Sequence, residues 1–267
     1  MLDIVTPTLN SEQYLEWTLL STHAMRERGA SHVLVDSFST DRTLQIADRH
    51  SVPVLSCPPG SMYAAINLGL RTSSNEWCCY INSDDLIYSK CFFDVLSGAP
   101  PDADILYGDI DYIDSSGRYM HGWRSPSPRS IDQLVQSAIM PFPQQSMLFR
   151  RRVFEKLSGF NDSFKLSADF DFVARACLNK LKFAKYSSGP MAAFRIHGDQ
   201  FSQTNASNMR SEVCRSLALS KFASPSPLKF FKVNAEIKLR NLDSYCVRAL
   251  RRLALDSKIS LSKTIEL

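Results

Sequence analysis

Two adjacent carboxylates, Asp84 and Asp85, follow directly on the continuous apolar run from Trp77 to Ile81. Such a run suits a strand buried at the centre of a sheet, which would present both acids at its carboxyl end. Open parallel sheets bind their ligands there. Hard oxygen ligands suit Mg²⁺ or Mn²⁺, ions that commonly hold a substrate diphosphate through one or two protein carboxylates. An Asp pair also serves ordinary strand-to-loop turns, so the pair by itself leaves both readings open. Asp36 ends a second apolar run, Val33-Leu34-Val35, and leads through small polar residues to Asp41. Its carboxylate is suited to accept an N–H from a nucleotide base, with Asp41 capping the next helix; a plain βα turn is the competing reading.

The elements that must position these groups read as alternating strands and helices. Ile4-Val5-Thr6 is a first strand, and Asn10-Ser11 is a capping pair for a helix through Tyr14, Leu15, Thr18 and Leu19 that stops near Gly29. Val52 to Leu55 is a third strand, and Tyr63 to Leu70 a short helix before the buried Trp77–Ile81 strand. This order argues for βαβ units with helices on both faces of the sheet. From Ile105 to Met120 the pattern alternates around Ser115-Ser116-Gly117, which predicts a hairpin or edge strands and hence a mixed sheet. Ser146 to Phe149 is another strand, Arg151 to Leu157 a short helix ended by Gly159, and Ala168 to Leu178 a longer helix. A strand pair, Phe183 to Tyr186 and Met191 to Ile196, precedes a loop from His197 to Thr204.

Composition narrows the class. At 267 residues, 44% of them hydrophobic, the chain has ample material for one α/β core plus a C-terminal appendage. A net charge of +4 is too small to indicate a nucleic-acid partner. The amino terminus lacks the basic start and apolar stretch of a signal peptide, and no apolar run reaches the roughly 18 residues of a membrane span, so the chain reads as cytoplasmic. Seven Cys form no CxxC pair and indicate neither a disulfide framework nor a zinc site.

Four strand-end segments, taken in order, carry a resemblance. They are Ile4-Val5-Thr6-Pro7-Thr8-Leu9-Asn10, Val35-Asp36-Ser37-Phe38-Ser39-Thr40-Asp41-Arg42-Thr43, Met62-Tyr63-Ala64-Ala65-Ile66-Asn67-Leu68-Gly69, and Ile81-Asn82-Ser83-Asp84-Asp85. Together they resemble the nucleotide-binding half of family 2 glycosyltransferases, and Phe149 to Phe172 continues the likeness into the acceptor half. The resemblance covers roughly residues 2 to 205. It implies the GT-A fold, a nucleotide-diphosphate-sugar donor, Mn²⁺ or Mg²⁺, and usually inversion at the anomeric carbon. Carried over position by position, it implies that Thr6 and Pro7 line the nucleotide, Asp36 meets the base, Asp84 faces the ribose or sugar, Asp85 ligates the metal and Asp169 is the catalytic base. His197 becomes a candidate metal or phosphate contact, and Gln144 and Gln145 candidate donor or acceptor contacts. Ser37-Phe38, Asn82 and Ala168 depart from the family pattern. Read without the family, Asp169 and Asp171 are first-turn acids that suit a helix dipole, with Asp171 and Arg175 an i, i+4 pair.

The expected architecture is therefore an α/β GT-A nucleotide-binding domain over residues 1–221, with a mixed, mostly parallel sheet. Residues 222–267 form a basic amphipathic helical extension. That extension either rests on an anionic membrane or packs on its own domain with a solvated basic face. The implied partners are a nucleotide sugar and a glycan or lipid-linked acceptor in cell-surface polysaccharide or glycolipid assembly, at the inner face of the membrane if the extension docks there. Two other classes compete. A sugar-nucleotide pyrophosphorylase would carry a Gly-rich basic phosphate loop after strand one, which Thr6 to Asn10 does not supply. A non-catalytic nucleotide-sugar-binding module would have no need for both Asp85 and Asp169.

Overall fold

The computed structural model describes residues 1–198, 205–222 and 227–253. Residues 199–204 of the loop expected from His197 to Thr204, residues 223–226 and the chain after 253 lie outside the described residues. Nine strands form one sheet in the order β3-β2-β1-β4-β8-β6-β9-β5, with β7 paired to β6. They are β1 (Leu2–Thr8), β2 (Ser31–Asp36), β3 (Val54–Ser56), β4 (Trp77–Tyr80), β5 (Leu86–Ile87), β6 (Ile105–Ile113), β7 (Tyr119–Trp123), β8 (Leu148–Arg150) and β9 (Phe183–Arg195). The sheet is mixed, as its sequence pattern predicts. The parallel block β3-β2-β1-β4 occupies the amino-terminal side, and β6 and β9 add a fourth parallel pair. Antiparallel pairing enters where β4 meets β8, and also joins β5 to β9 and β6 to β7 and β8.

Helices cover both faces. The first three are α1 (Leu15–Ser21), α2 (His23–Glu27) and α3 (Thr43–Arg49), followed by α4 (Met62–Arg71) and α5 (Ser89–Ser97). Next come α6 (Ile131–Gln136), α7 (Arg151–Lys156) and α8 (Ala168–Leu178), then α9 (Ala206–Leu219), α10 (Pro227–Arg240) and α11 (Leu242–Leu253). The largest core cluster sets Ile66 and Leu70 of α4, Val153 of α7 and Phe172 of α8 against Val5, Val35 and Phe149 of the sheet. A second cluster buries Phe92 and Val95 of α5 against Leu2, Ile4 and Cys79. Because β1, β2 and β4 are covered on both faces, their residues are buried nearly throughout. Helix α4 lies so close to the sheet that a Cβ on Gly69 would stand 2.7 Å from Val5 Cγ1 and 2.9 Å from Val35 Cγ2.

Three elements differ from their sequence reading. The helix after β1 begins at Leu15, not at Asn10-Ser11, and is divided at Thr22. The amides that would start it earlier are taken across the loop: Asn10 N–H goes to Ser39 Oγ, Ser11 N–H to Thr43 Oγ1 and Glu12 N–H to Asp41 Oδ2. Strand β6 does pair with β7 as a hairpin, but it also pairs with β8 further along that edge and with β9 along the other, so it is internal. The two strands expected around Ser187-Ser188-Gly189 are one strand, β9, which absorbs the turn-like residues through register shifts against β6.

The described part of the C-terminal extension packs on the body. Val233 and Ile237 of α10 are buried with Leu134 of α6. Asn241, at the α10–α11 junction, exchanges two hydrogen bonds with the backbone of Arg124 beyond β7, accepting its N–H at 2.6 Å and donating to its carbonyl at 3.0 Å. Tyr245 of α11 meets Trp123 with ring centroids 6.2 Å apart. No described helix is long and apolar enough to cross a membrane.

Candidate active site

A cleft of about 1060 Å³ opens at the carboxyl ends of β1, β2 and β4, where the parallel block delivers its loops. Side-chain direction at each strand end decides which residues reach it. Pro7 lines the cleft, but Thr6 points the other way and does not. Thr6 is fully buried, with Oγ1 3.0 Å from His32 Nε2, and His32 Nδ1 lies 3.1 Å from Thr22 Oγ1. Burial pushes the His32 imidazole down to about 3, so the ring bridges the two threonines in its neutral form. Thr6, expected to line a nucleotide, thus has its hydroxyl on the His32 side, where it braces β1 against β2 and α1.

Asp36 is also turned away from the cleft. It is 3% exposed, and its Oδ1 accepts the hydroxyls of Thr8 at 2.9 Å and Ser39 at 2.5 Å, while Oδ2 accepts Ser39 N–H at 2.8 Å. The carboxylate, expected to meet a base, fastens the β2 turn, and its neighbour Ser37 lines the cleft. Asp41 holds the next turn, taking Thr43 N–H at 2.9 Å on Oδ1 as α3 begins.

At the end of β4 the acidic pair divides. Asp85 has no exposed surface. Its Oδ1 accepts Arg195 N–H at 2.9 Å, and its Oδ2 accepts the amides of Gln145 at 2.9 Å and Asn82 at 3.4 Å. Burial, then the charge of Asp84, push its carboxyl well up, while the Arg195 amide and Gln145 draw it down. The residue expected to ligate a metal is thus enclosed among protein donors and absent from the cleft wall. Asp84 is on that wall, with Oδ2 2.9 Å from His197 Nε2. Arg195 fixes the pair from behind, donating Nε–H to the Asp84 carbonyl at 2.9 Å and stacking its guanidinium 4.8 Å from the Tyr14 ring centroid.

Asn82, which the sequence marks only as a departure from pattern, stands beside Asp84 on the wall, and its buried Oδ1 has no hydrogen-bond partner. Carboxylate oxygen, imidazole nitrogen and an orphaned amide oxygen form a donor set that fits Mn²⁺ or Mg²⁺. Among the described residues no three His, Cys, Asp or Glu side chains converge, so an ion held here would complete its coordination with ligand oxygens or water. Gln144 and Gln145 also line the cleft. Their amide nitrogens are committed to the wall, to the Tyr80 carbonyl at 2.7 Å and to Asp85 at 2.9 Å respectively.

Asp169 is the second residue of α8 and reaches the same cleft. Its Oδ1 accepts Phe170 N–H at 2.8 Å and the Tyr63 hydroxyl at 3.4 Å. Burial raises its carboxyl to about 6, a rise that these two hydrogen bonds moderate. Tyr63 is itself buried, a contact that its apolar setting in α4 did not signal in the sequence. The loop entering α8 is tied down by Glu212 of α9, whose carboxylate accepts the amides of Lys165, Leu166 and Ser167 at 2.9 to 3.0 Å. Asp171 faces away, bound to Arg175 Nε at 2.7 Å and Ser216 Oγ at 2.9 Å.

Residues 3–158 match the family model described as glycosyl transferase family 2. A PGL/p-HBAD biosynthesis glycosyltransferase of Mycobacterium bovis is 25% identical over 210 residues, covering 74% of this chain and 78% of the relative. S. aureus TarS 1-349, solved in complex with UDP-GlcNAc, superposes with a TM-score of 0.65 at 21% identity, covering 97% of this chain and 76% of that one. The mannosyltransferase PcManGT of Pyrobaculum calidifontis, solved with GDP-Man and Mn²⁺, gives 0.61 at 16% identity over 95% and 74%. These likenesses show a shared GT-A fold. Since the matched stretch runs from β1 past α7 and includes the ends of β1, β2 and β4 that wall the cleft, the chain belongs to glycosyl transferase family 2.

Proposed function

We propose that this glycosyltransferase moves a sugar from a nucleotide-diphosphate donor to an acceptor hydroxyl with inversion at the anomeric carbon. Asp169 is the base, and Asp84 with His197 holds the divalent cation. The observation that carries this reading is the separation of two acidic functions in one cleft. One carboxyl is raised to about 6 and held by only two donors, while another is paired with an imidazole. A base is most useful when its pKa lies near the working pH, and Asp169 meets that condition.

In the reaction the acceptor oxygen forms a bond to the anomeric carbon while its proton passes to the Asp169 carboxylate. The bond from that carbon to the diphosphate oxygen breaks on the opposite face, and the electron pair leaves with the nucleoside diphosphate. A single displacement of this kind inverts the centre. When bound, Mn²⁺ or Mg²⁺ supplies Lewis-acid neutralisation of the departing charge. Pro7 and Ser37 border the nucleotide end in this reading. Asp36 and Asp85 act one step back, holding the turns that carry Ser37 and Asp84.

A nucleotide-sugar donor is supported by the UDP-GlcNAc and GDP-Man named with the two fold relatives, and a hexose or N-acetylhexosamine is the sugar class they suggest. Assembly of a cell-surface polysaccharide or glycolipid, on a glycan or lipid-linked acceptor, is supported by the biosynthetic role in the mycobacterial relative's name. A thermal-shift screen of UDP, GDP and dTDP sugars with Mn²⁺ tests the donor class, followed by transfer assays with the stabilising donor. Stabilisation by none of the three sets would overturn the reading.

A further inference from the structure

Helix α10 buries one side and leaves an apolar stripe on the other. Val233 and Ile237 face α6, whereas Leu228, Phe231, Leu239 and Leu242 are 58 to 73% exposed. At 100° per residue, positions 228, 231, 235, 239 and 242 fall within one narrow arc of the helix and its junction with α11. Lys232 and Lys238 flank that arc on its two sides, and neither forms an ion pair with a described residue. Residues 227–253 contain seven Lys or Arg against two acidic residues, although the whole chain carries only +4. Three exposed large side chains in line on α10, with Leu242 following at the start of α11, exceed the scattered single exposures of an ordinary surface.

We infer that this face of α10 docks on an anionic lipid bilayer, with Leu228, Phe231, Leu239 and Leu242 entering the headgroup boundary and Lys232 and Lys238 reaching the lipid phosphates. Flanking lysines can extend their ammonium groups to the headgroups while their stems lie along the apolar arc. The charge complementarity favours an anionic surface over a second copy of this chain, whose matching face would bring like charges together. The helix is also anchored to the cleft. Asn241 holds the backbone beside Trp123, and Trp123 lines the cleft while packing on Tyr245. Docking would therefore fix one rim of the cleft near the membrane and favour an acceptor presented on a lipid; this last clause rests on the glycosyltransferase reading above.

The test is sedimentation of the full chain with vesicles of phosphatidylcholine alone and of phosphatidylcholine with one-third phosphatidylglycerol. The expected result is binding to the anionic vesicles, with the affinity lowered about thirtyfold by the double substitution Lys232→Gln and Lys238→Gln, at about 1 kcal/mol per lysine. Phe231→Ser with Leu239→Ser is expected to abolish binding while donor hydrolysis in solution stays unchanged. Failure of the wild type to sediment with anionic vesicles, or equal binding by all variants, would overturn the inference. So would a dimer in solution that the Phe231→Ser, Leu239→Ser variant dissolves, because the stripe would then belong to a second copy. Loss of the glycosyltransferase reading would show differently, as absence of donor turnover in a chain that still binds vesicles.

Discussion

Replacing Asp169 with Asn should remove turnover and, at neutral pH, make the fold more stable. The folded carboxyl titrates at about 6 against about 3.9 for an unperturbed Asp, and burial is the chief cause. Below pH 4 the group is neutral in both states and costs nothing. Between pH 4 and 6 the unfolded chain ionises first, so stability falls as pH rises, and above pH 6 the full cost persists. Two units correspond to about 3 kcal/mol at most, and partial solvent access reduces this to about 1 to 3 kcal/mol. The Asn side chain keeps an oxygen for the Phe170 amide and the Tyr63 hydroxyl, so it should recover that amount without new strain. Activity should fall about 10² to 10⁴-fold, the usual contribution of a positioned base. For the wild type, kcat/KM should drop tenfold per pH unit below about 6. Urea denaturation of both proteins from pH 4 to 8, with nucleoside diphosphate release measured over the same range, reads both effects. A variant with near wild-type turnover would refute the base assignment, and a stability difference that ignores pH would refute the burial argument.

The acidic pair offers a second test. Asp84→Ala should lose the Mn²⁺-dependent part of nucleotide stabilisation in a thermal-shift assay with little change in the ligand-free melting temperature. Asp85→Ala should instead cost about 3 kcal/mol in urea, because the Arg195, Gln145 and Asn82 donors lose their buried acceptor; the reverse pattern would return the metal to Asp85. His32, held neutral with its imidazole pushed down to about 3, must be protonated on unfolding below pH 6.5. Stability should therefore fall by about 2 kcal/mol from pH 7 to 5, measured in the Asp169→Asn background so that the opposite slope of Asp169 does not mask it. Gly69→Ala should lower the urea midpoint by an equivalent of about 1 to 3 kcal/mol, since its Cβ would stand inside contact distance of Val5 and Val35. An unchanged midpoint would mean that α4 can retreat from the sheet.

What the sequence made legible follows from where its periodicity was informative. Ala168–Leu178 reads as a helix and is one, and Trp77 to Ile81 reads as a central strand and forms one over Trp77–Tyr80, because length and apolar continuity settle both. Where polar side chains divert the backbone, the pattern misleads. Asn10 and Ser11 look like helix caps, but the hydroxyls and carboxylate of residues 39 to 43 claim the loop amides, and these are contacts about 30 residues away in sequence. Likewise Ser187-Ser188-Gly189 carries a turn signal that the long pairing of β9 with β6 overrides.

The site shows a subtler limit, one of parity. Alternation reveals which side a strand residue faces only when one face is wet. Leu2 to Thr6 is buried at every position, so nothing in the composition of β1 tells Thr6 from Pro7, yet one points to His32 and the other to the cleft. The same ambiguity sits at the end of β4, where Asp84 and Asp85 differ by one position and take opposite environments. The resemblance assigns the metal to Asp85 and the ribose or sugar to Asp84, whereas it is Asp84 that stands on the cleft wall. The choice is made by Arg195 and Gln145, both far along the chain, whose donors close on Asp85 and leave Asp84 to His197. A buried acid satisfied by neutral amides sets the position of its neighbour, and the neighbour, held by one imidazole at a cleft wall, is the one left able to change partners.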